Sequence, residues 1–160
     1  MQRELPVRKK IRLEGHDYSQ VGAYFVTICV ENRHEMLGEV VGRDALIAPR
    51  VRLSEYGEIV TKHIERINVC YTSARVDHYV VMPNHIHMLI SIHGAMKASR
   101  PTVSTLVRSL KTMITKDFGF SLFQTSFHDH IIRDEADYRR IWQYIDENPA
   151  KWTEDQYYTK

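Results

Sequence analysis

One stretch of the chain, VVMPNHIHMLISI at residues 80–92, sets the strongest limit on the fold. Two apolar runs meet at a Met-Pro-Asn break at residues 82–84, which predicts two strands joined by a tight turn. Because side chains alternate between the faces of a strand, His85 and His87 share one face. The other face carries Ile86, Met88, Ile90 and Ile92. The two imidazoles therefore project together, away from an apolar face.

This His-hydrophobic-His spacing is compatible with a partial metal site. Two neutral imidazoles can bind a divalent cation and leave most of its coordination sphere open to a substrate. A pair of surface histidines on a half-exposed strand explains the same spacing, because a short motif is weak evidence by itself.

Composition indicates a soluble globular protein. With 160 residues, of which 43% are hydrophobic and 26% charged, we expect a single domain over residues 1–160. No apolar run approaches the roughly 20 residues of a membrane helix, and the initial MQRELPVRKK lacks the apolar core of a signal peptide. These features predict a cytoplasmic protein.

Basic residues cluster although the net charge is small, at +2. Residues 1–20 are predicted to form a basic N-terminal arm, and a second basic group lies on a predicted helix. Each of these residues is either a contact to nucleic-acid phosphates or a solvated surface charge. The candidates are Arg8, Lys9, Lys10 and Arg12 in the arm, and Arg108 and Lys111 on the exposed stripe of the helix.

The pattern of predicted elements is strand, helix, strand, strand, helix, strand, helix. The strands are expected at residues 23–32, 76–82, 85–93 and 126–132, and the helices after the N-caps Ser54, Thr102 and Asp134. A hairpin extension is expected at residues 39–53, with Pro49 at its turn. This order predicts an α+β fold, a ferredoxin-like βαββαβ antiparallel sheet with an additional C-terminal helix. The two internal helices should cover the isoleucine face, and the third helix the histidine face.

Apolar spacing predicts the buried side of each helix. The predicted buried positions are Tyr56, Ile59, Val60, Ile64 and Ile67 on the first helix, Val103, Leu106, Val107, Leu110 and Ile114 on the second, and Tyr138, Ile141, Trp142 and Ile145 on the third.

The third helix also places a phenol near an amide. Tyr144 and Asn148 are four residues apart, so they lie one above the other beside the packed face. If this stripe faces the histidines, a metal, an amide oxygen and a nucleophile converge. Taken singly, the tyrosine is better explained as a packing residue, and the asparagine as a helix terminator before Pro149.

Longer segments resemble one family of DNA enzymes. PNHIHMLI resembles the His-hydrophobic-His signature of the HUH single-strand DNA transposases, and HIIRDEADYRRIWQYIDENPAKW resembles the C-terminal block of their REP-associated tyrosine transposase branch. RKKIRLEGHDYSQVGAYFVTICVENR and LSEYGEIV are similar to the same branch. The family often has Trp-Gln-Arg where this chain has Phe-Gln-Thr at residues 123–125, so any DNA contact shared at those positions is not carried over.

The resemblance implies a metal-dependent enzyme that cleaves and rejoins single-stranded or hairpin DNA through a covalent 5′-phosphotyrosine. It implies that Tyr144 is the nucleophile and that His85, His87 and Asn148 hold Mg²⁺ or Mn²⁺. His130 matches a family position and is a candidate contact to the site or to phosphate. A monomer and a homodimer that exchanges the tyrosine helix are both compatible with it.

Two other functions stay open at this point. A hairpin-binding module of the same fold would bind nucleic acid without cleaving it. A small metal-dependent hydrolase would use the metal to activate water instead of Tyr144.

Overall fold

The computed structural model describes residues 22–42, 48–94 and 100–159. The strands are β1 (Gly22–Cys29), β2 (Gly38–Val41), β3 (Arg50–Leu53), β4 (Ala74–Met82), β5 (His85–Ile92) and β6 (His128–Ile131), and the α-helices are α1 (Glu55–Cys70), α2 (Val103–Phe118) and α3 (Glu135–Glu147). Four strands form an antiparallel sheet in the order β4-β5-β1-β6, and β2 pairs with β3 in a separate small sheet. The predicted α+β fold, with its antiparallel sheet and additional C-terminal helix, is confirmed.

Predicted N-caps begin all three helices. The side chains of Ser54, Thr102 and Asp134 each accept a hydrogen bond from the backbone N–H three residues later. Gly119 ends α2 with φ of 75°, a left-handed conformation that glycine adopts without strain. The hairpin turn expected near Pro49 lies largely outside the described residues, and Pro49 itself stands directly before β3.

β1 is shorter than the predicted strand at residues 23–32. After Cys29 the chain pairs briefly through Val30 with Phe123 and then enters a 3-10 turn at Glu31–Arg33. Asn32 and Arg33 have positive φ angles of 56° and 55°, which a continuing strand cannot accommodate. The backbone of Val30 also donates to the carbonyl of Asn84, so the end of β1 is tied to the β4–β5 turn.

The isoleucine face of β5 forms the main core together with α1 and α2. Ile86, Met88, Ile90 and Ile92 are at most 1% exposed and belong to one apolar cluster with side chains of both helices. All five apolar positions predicted on α2 are buried. The alternation along β5 therefore identified the side of the sheet that the two internal helices cover.

Tyr56 and Trp142 are corrections to the predicted packed faces, since each is 37% exposed. The first turn of α1 instead turns Gly57 inward, where any Cβ atom would clash with the carbonyl of Leu37. Trp142 lies flat against the ring of His78, with 4.2 Å between the ring centroids. Both aromatic rings therefore pack along the surface rather than into the core.

The histidine face of the sheet is covered by more than α3. Ile141 and Ile145 of α3 pack on Leu89, as the spacing predicted. The segment that follows α3, which includes a 3-10 turn at Trp152–Glu154, folds back over the remaining surface. There Trp152 and Tyr157 pack in a second cluster. We call residues 148–159 the tail.

Within the described residues, no helix is long and apolar enough to cross a membrane.

Candidate metal and tyrosine site

The paired histidines lie at the buried centre of the second face. His85 and His87 are 0% and 1% exposed, and their Nε2 atoms are 3.1 Å apart. The interpretation as surface histidines on a half-exposed strand is therefore wrong, because α3 and the tail cover them. Two nitrogen ligands of one ion, each about 2.1 Å from it at right angles, would lie about 3 Å apart. The spacing is compatible with a shared metal.

Hydrogen bonds at the outer ring nitrogens hold both imidazoles. His85 Nδ1 lies 2.8 Å from Asn84 Oδ1, and His87 Nδ1 lies 2.8 Å from Thr27 Oγ1. The Asn84 amide nitrogen donates to the Tyr157 carbonyl at 2.6 Å, so its Oδ1 is the acceptor and His85 Nδ1 the donor. His85 therefore presents the lone pair of Nε2 to the site.

Burial keeps both imidazoles neutral. It lowers the pKa of His85 to about 4, even though the nearby Asp155 carboxylate raises it. Burial and the neighbouring His85 both lower the pKa of His87 well below its usual value. At neutral pH the pair is thus deprotonated, which is the form that binds a cation.

Asn148 is buried at the end of α3, with 2% of its surface exposed. Its Nδ2 atom donates to Asp155 Oδ2 at 3.1 Å. Its Oδ1 atom is buried and, among the described residues, has no hydrogen-bond partner of ordinary geometry. Buried polar atoms are nearly always satisfied, so an oxygen in this position is suited to an ion or a water.

Tyr144 projects from α3 beside the two histidines. Its ring centroid is 5.4 Å from that of His87 and 5.9 Å from that of Phe25, which it meets edge-on. Burial and then the Asp155 carboxylate raise the pKa of the Tyr144 phenol, while the Asn148 amide lowers it. The phenol and the histidines, separated by 57 residues or more in sequence, therefore meet within one chain.

Asp155 was not predicted as a site residue. One ligand atom each from His85, His87 and Asp155 lies within 4.8 Å of the others. The carboxylate reaches the site only because the tail folds back. The sequence carried no periodic pattern that predicts this return, although an acidic residue seven positions after Asn148 was visible.

A cavity of about 430 Å³ opens beside Tyr144 and continues along β6. The pairing of β6 with β1 places His128 opposite Thr27 and His130 opposite Phe25, so both histidines share the face of the site. His130 lines the cavity, but its Nε2 atom is 2.8 Å from Asp137 Oδ2. Arg33 and Tyr157 also line the cavity.

The two predicted basic residues that the structure describes do not line this cavity. Arg108 and Lys111 lie on α2, which packs on the other face of the sheet. Lys111 is not on an exposed stripe as predicted, because its ammonium donates to the Gln124 carbonyl at 2.6 Å and is partly buried. Arg8, Lys9, Lys10 and Arg12 lie outside the described residues.

Comparisons with known proteins agree with this fold. No protein-family model matches the chain. An uncharacterised protein of Haemophilus influenzae is 30% identical over 173 residues, spanning 94% of this chain and 93% of the relative. A solved structure of a REP-associated tyrosine transposase bound to a REP hairpin aligns with a TM-score of 0.64 and 23% identity, over 88% of this chain and 74% of that one. A candidate transposase from Deinococcus radiodurans R1 aligns with a TM-score of 0.50 and 17% identity, over 85% and 97% of the two chains.

Proposed function

We propose that this chain, which belongs to one family with its Haemophilus influenzae relative and shares the fold of a REP-associated tyrosine transposase, cleaves and rejoins single-stranded or hairpin DNA with a divalent metal. One observation carries the proposal. The phenol of Tyr144 lies beside the neutral imidazole pair, and Asn148, whose buried amide oxygen has no hydrogen-bond partner of ordinary geometry among the described residues, lies next to His85. Tyr144 and His87 line the cavity.

The donor set fits a divalent cation with open coordination positions. The Nε2 atoms of His85 and His87 and the Oδ1 atom of Asn148 would hold it, because the two Nε2 atoms are 3.1 Å apart and the Asn148 side chain lies beside His85. When bound, such an ion polarises a non-bridging phosphate oxygen and orients the phosphate. Mixed nitrogen and oxygen ligation suits Mn²⁺ at least as well as Mg²⁺, which prefers an all-oxygen shell.

Tyr144 is the proposed nucleophile. Its Oη attacks the phosphorus, the bond to the 3′ oxygen breaks, and the 5′ phosphate stays on the phenol. The phenol loses its proton in this step, and the departing 3′ oxygen ends as a hydroxyl, so the protons balance. Attack by a free 3′-hydroxyl on the phosphotyrosine reverses the step and rejoins the strand. Since burial and Asp155 raise the pKa of Tyr144, the phenol must be activated as it reacts.

The cavity provides a place for the strand next to the scissile phosphate. Arg33, His128 and His130 line it with nitrogen donors, and the rings of Phe25 and Tyr157 contribute flat surfaces. Tyr144 reaches His87 of its own chain, which supports action by a single copy without exchange of α3.

Incubation with labelled hairpin DNA bearing single-stranded flanks, in the presence of Mn²⁺ or Mg²⁺, tests the proposal. We expect a covalent protein–DNA adduct that survives denaturation. Tyr144→Phe should reduce it by at least about a hundredfold, because the attacking oxygen is removed. Tyr56→Phe is the matched control, since Tyr56 on α1 has the same 37% exposure and should retain full activity.

Other outcomes would contradict the proposal. Metal-dependent cleavage to free products that survives in Tyr144→Phe would indicate a hydrolase. Salt-dependent hairpin binding without cleavage, on substrates that include inverted repeats beside the gene, would indicate a binding module.

A further inference from the structure

The site contains a carboxylate that the proposed chemistry has not used. The tail carries Asp155 to the histidine pair, where one of its oxygens lies within 4.8 Å of a ligand nitrogen of His85 and of His87. Asp155 is half-buried, whereas the neighbouring Glu154 is exposed. Asp155 is thus directed inward at a position where its neighbour in sequence remains in solvent.

The Asp155 carboxylate is held in place from two sides. Oδ1 accepts the backbone N–H of Tyr157 at 2.8 Å, and Oδ2 accepts the Asn148 amide at 3.1 Å. The Tyr157 carbonyl in turn accepts from Asn84, whose amide oxygen fixes His85. A carboxylate has about four lone-pair positions, so these two bonds leave capacity for a cation.

The hydrogen bond between Asn148 and Asp155 also sets the orientation of the Asn148 side chain. Because its Nδ2 atom donates to Asp155, its Oδ1 atom points away from that carboxylate, into a buried position where it has no hydrogen-bond partner of ordinary geometry among the described residues. Loss of the carboxylate would remove the hydrogen bond that holds the amide in this orientation.

Charge gives a reason for an acidic group here. Two neutral imidazoles and an amide bring no negative charge to a buried divalent cation. Moving that cation out of water is unfavourable unless a negative charge lies close to it. Hard cations such as Mn²⁺ and Mg²⁺ favour carboxylate oxygen. Asp155 is the acidic member of the cluster that the described residues form.

We propose that Asp155 is a further ligand of this metal site and that it also directs the Asn148 oxygen toward the ion. The inference rests on the proposed function in one respect, which is that the site binds a divalent cation. It adds that the tail is part of the metal site, and not only its cover.

Titration of the full chain with MnCl₂ in the absence of DNA tests this proposal. Calorimetry and the Mn²⁺ paramagnetic resonance signal measure the binding. Asp155→Asn keeps the shape and removes the charge, and it should weaken Mn²⁺ binding by at least about tenfold. Glu154→Gln removes a charge of the same sign one residue away and should bind as the wild type does. His87→Ala should show a loss at least as large as that of Asp155→Asn.

The possible results separate the two claims. Equal Mn²⁺ binding by the wild type and Asp155→Asn, with weak binding by His87→Ala, would overturn the role of Asp155 and leave the metal site in place. Absence of Mn²⁺ binding by the wild type would overturn both. If circular dichroism shows that Asp155→Asn does not fold, Asp155→Glu replaces it. Asp155→Glu keeps the charge but moves the carboxylate. If Asp155 is a metal ligand, the Mn²⁺ affinity of this variant should be below that of the wild type and far above that of His87→Ala. Wild-type Mn²⁺ affinity in Asp155→Ala would overturn the role of Asp155 as a ligand.

Discussion

The two faces of β5 are both largely buried but are built differently. On the face covered by α1 and α2, four apolar side chains need nothing more specific than close packing. On the other face, His85 and His87 are just as inaccessible. Each needs a hydrogen-bond partner, Asn84 for His85 and Thr27 for His87, because burial of an unpaired polar group has a large free-energy cost.

This contrast separates stability from chemistry along a single strand. The apolar face stabilises the fold through buried area, and substitutions that conserve volume should be tolerated there. The site face depends on the position of particular atoms, because displacement of one polar group changes the tautomer or direction of the next. Three substitutions test whether the two faces are independent in this way.

The largest expected effect is on stability. Ile90→Ala removes a fully buried side chain from the helix-covered face, and we expect it to lower the free energy of unfolding by about 2–5 kcal/mol. Urea denaturation measures this loss. Mn²⁺ affinity of the protein that remains folded should not change. A parallel fall in affinity would show that the two faces are coupled.

A smaller effect is expected when one hydroxyl is removed from the site face. Thr27→Val keeps the shape of the side chain and removes the partner of His87 Nδ1, so Mn²⁺ affinity should fall by about 10–100-fold. Calorimetric titration measures it. Thr61→Val on α1 is the matched control, because the Thr61 hydroxyl is buried without a hydrogen-bond partner among the described residues. An equal effect of both substitutions would contradict a specific role for Thr27.

The smallest effect concerns the binding of substrate. Arg33 lines the cavity beside Tyr144, whereas Arg108 lies on the helix layer across the sheet. Arg33→Ala should weaken binding of a hairpin with a single-stranded flank and reduce the slope of log K against log salt by about one. Arg108→Ala should have a smaller effect. The reverse order would favour the helix layer as the DNA surface.

The features that followed from the sequence are those with local causes. Alternation along residues 85–92 separated the two faces, and the caps Ser54, Thr102 and Asp134 placed the helices. The spacing of Tyr144 and Asn148 correctly put both on one side of α3, and the structure turns that side toward the histidines.

The tail could not be predicted because its position depends on contacts distant in sequence. Tyr157 is placed by a hydrogen bond to Asn84, 73 residues earlier, and Asp155 enters the site with it. Lys111 was misjudged for a related reason, since the carbonyl that binds its ammonium belongs to the segment after α2. A helical period predicts which side chains share a stripe, but it does not predict which loop will cover that stripe.

The most direct test of the central claim is to locate the covalent bond. After reaction with a cleavable hairpin and Mn²⁺, the adduct is digested and its nucleotide-bearing peptide is sequenced by mass spectrometry. We expect the 5′ phosphate on Tyr144. A phosphate on Tyr157, whose ring centroid is 4.6 Å from that of His85, or products released without any protein-bound nucleotide, would contradict the account.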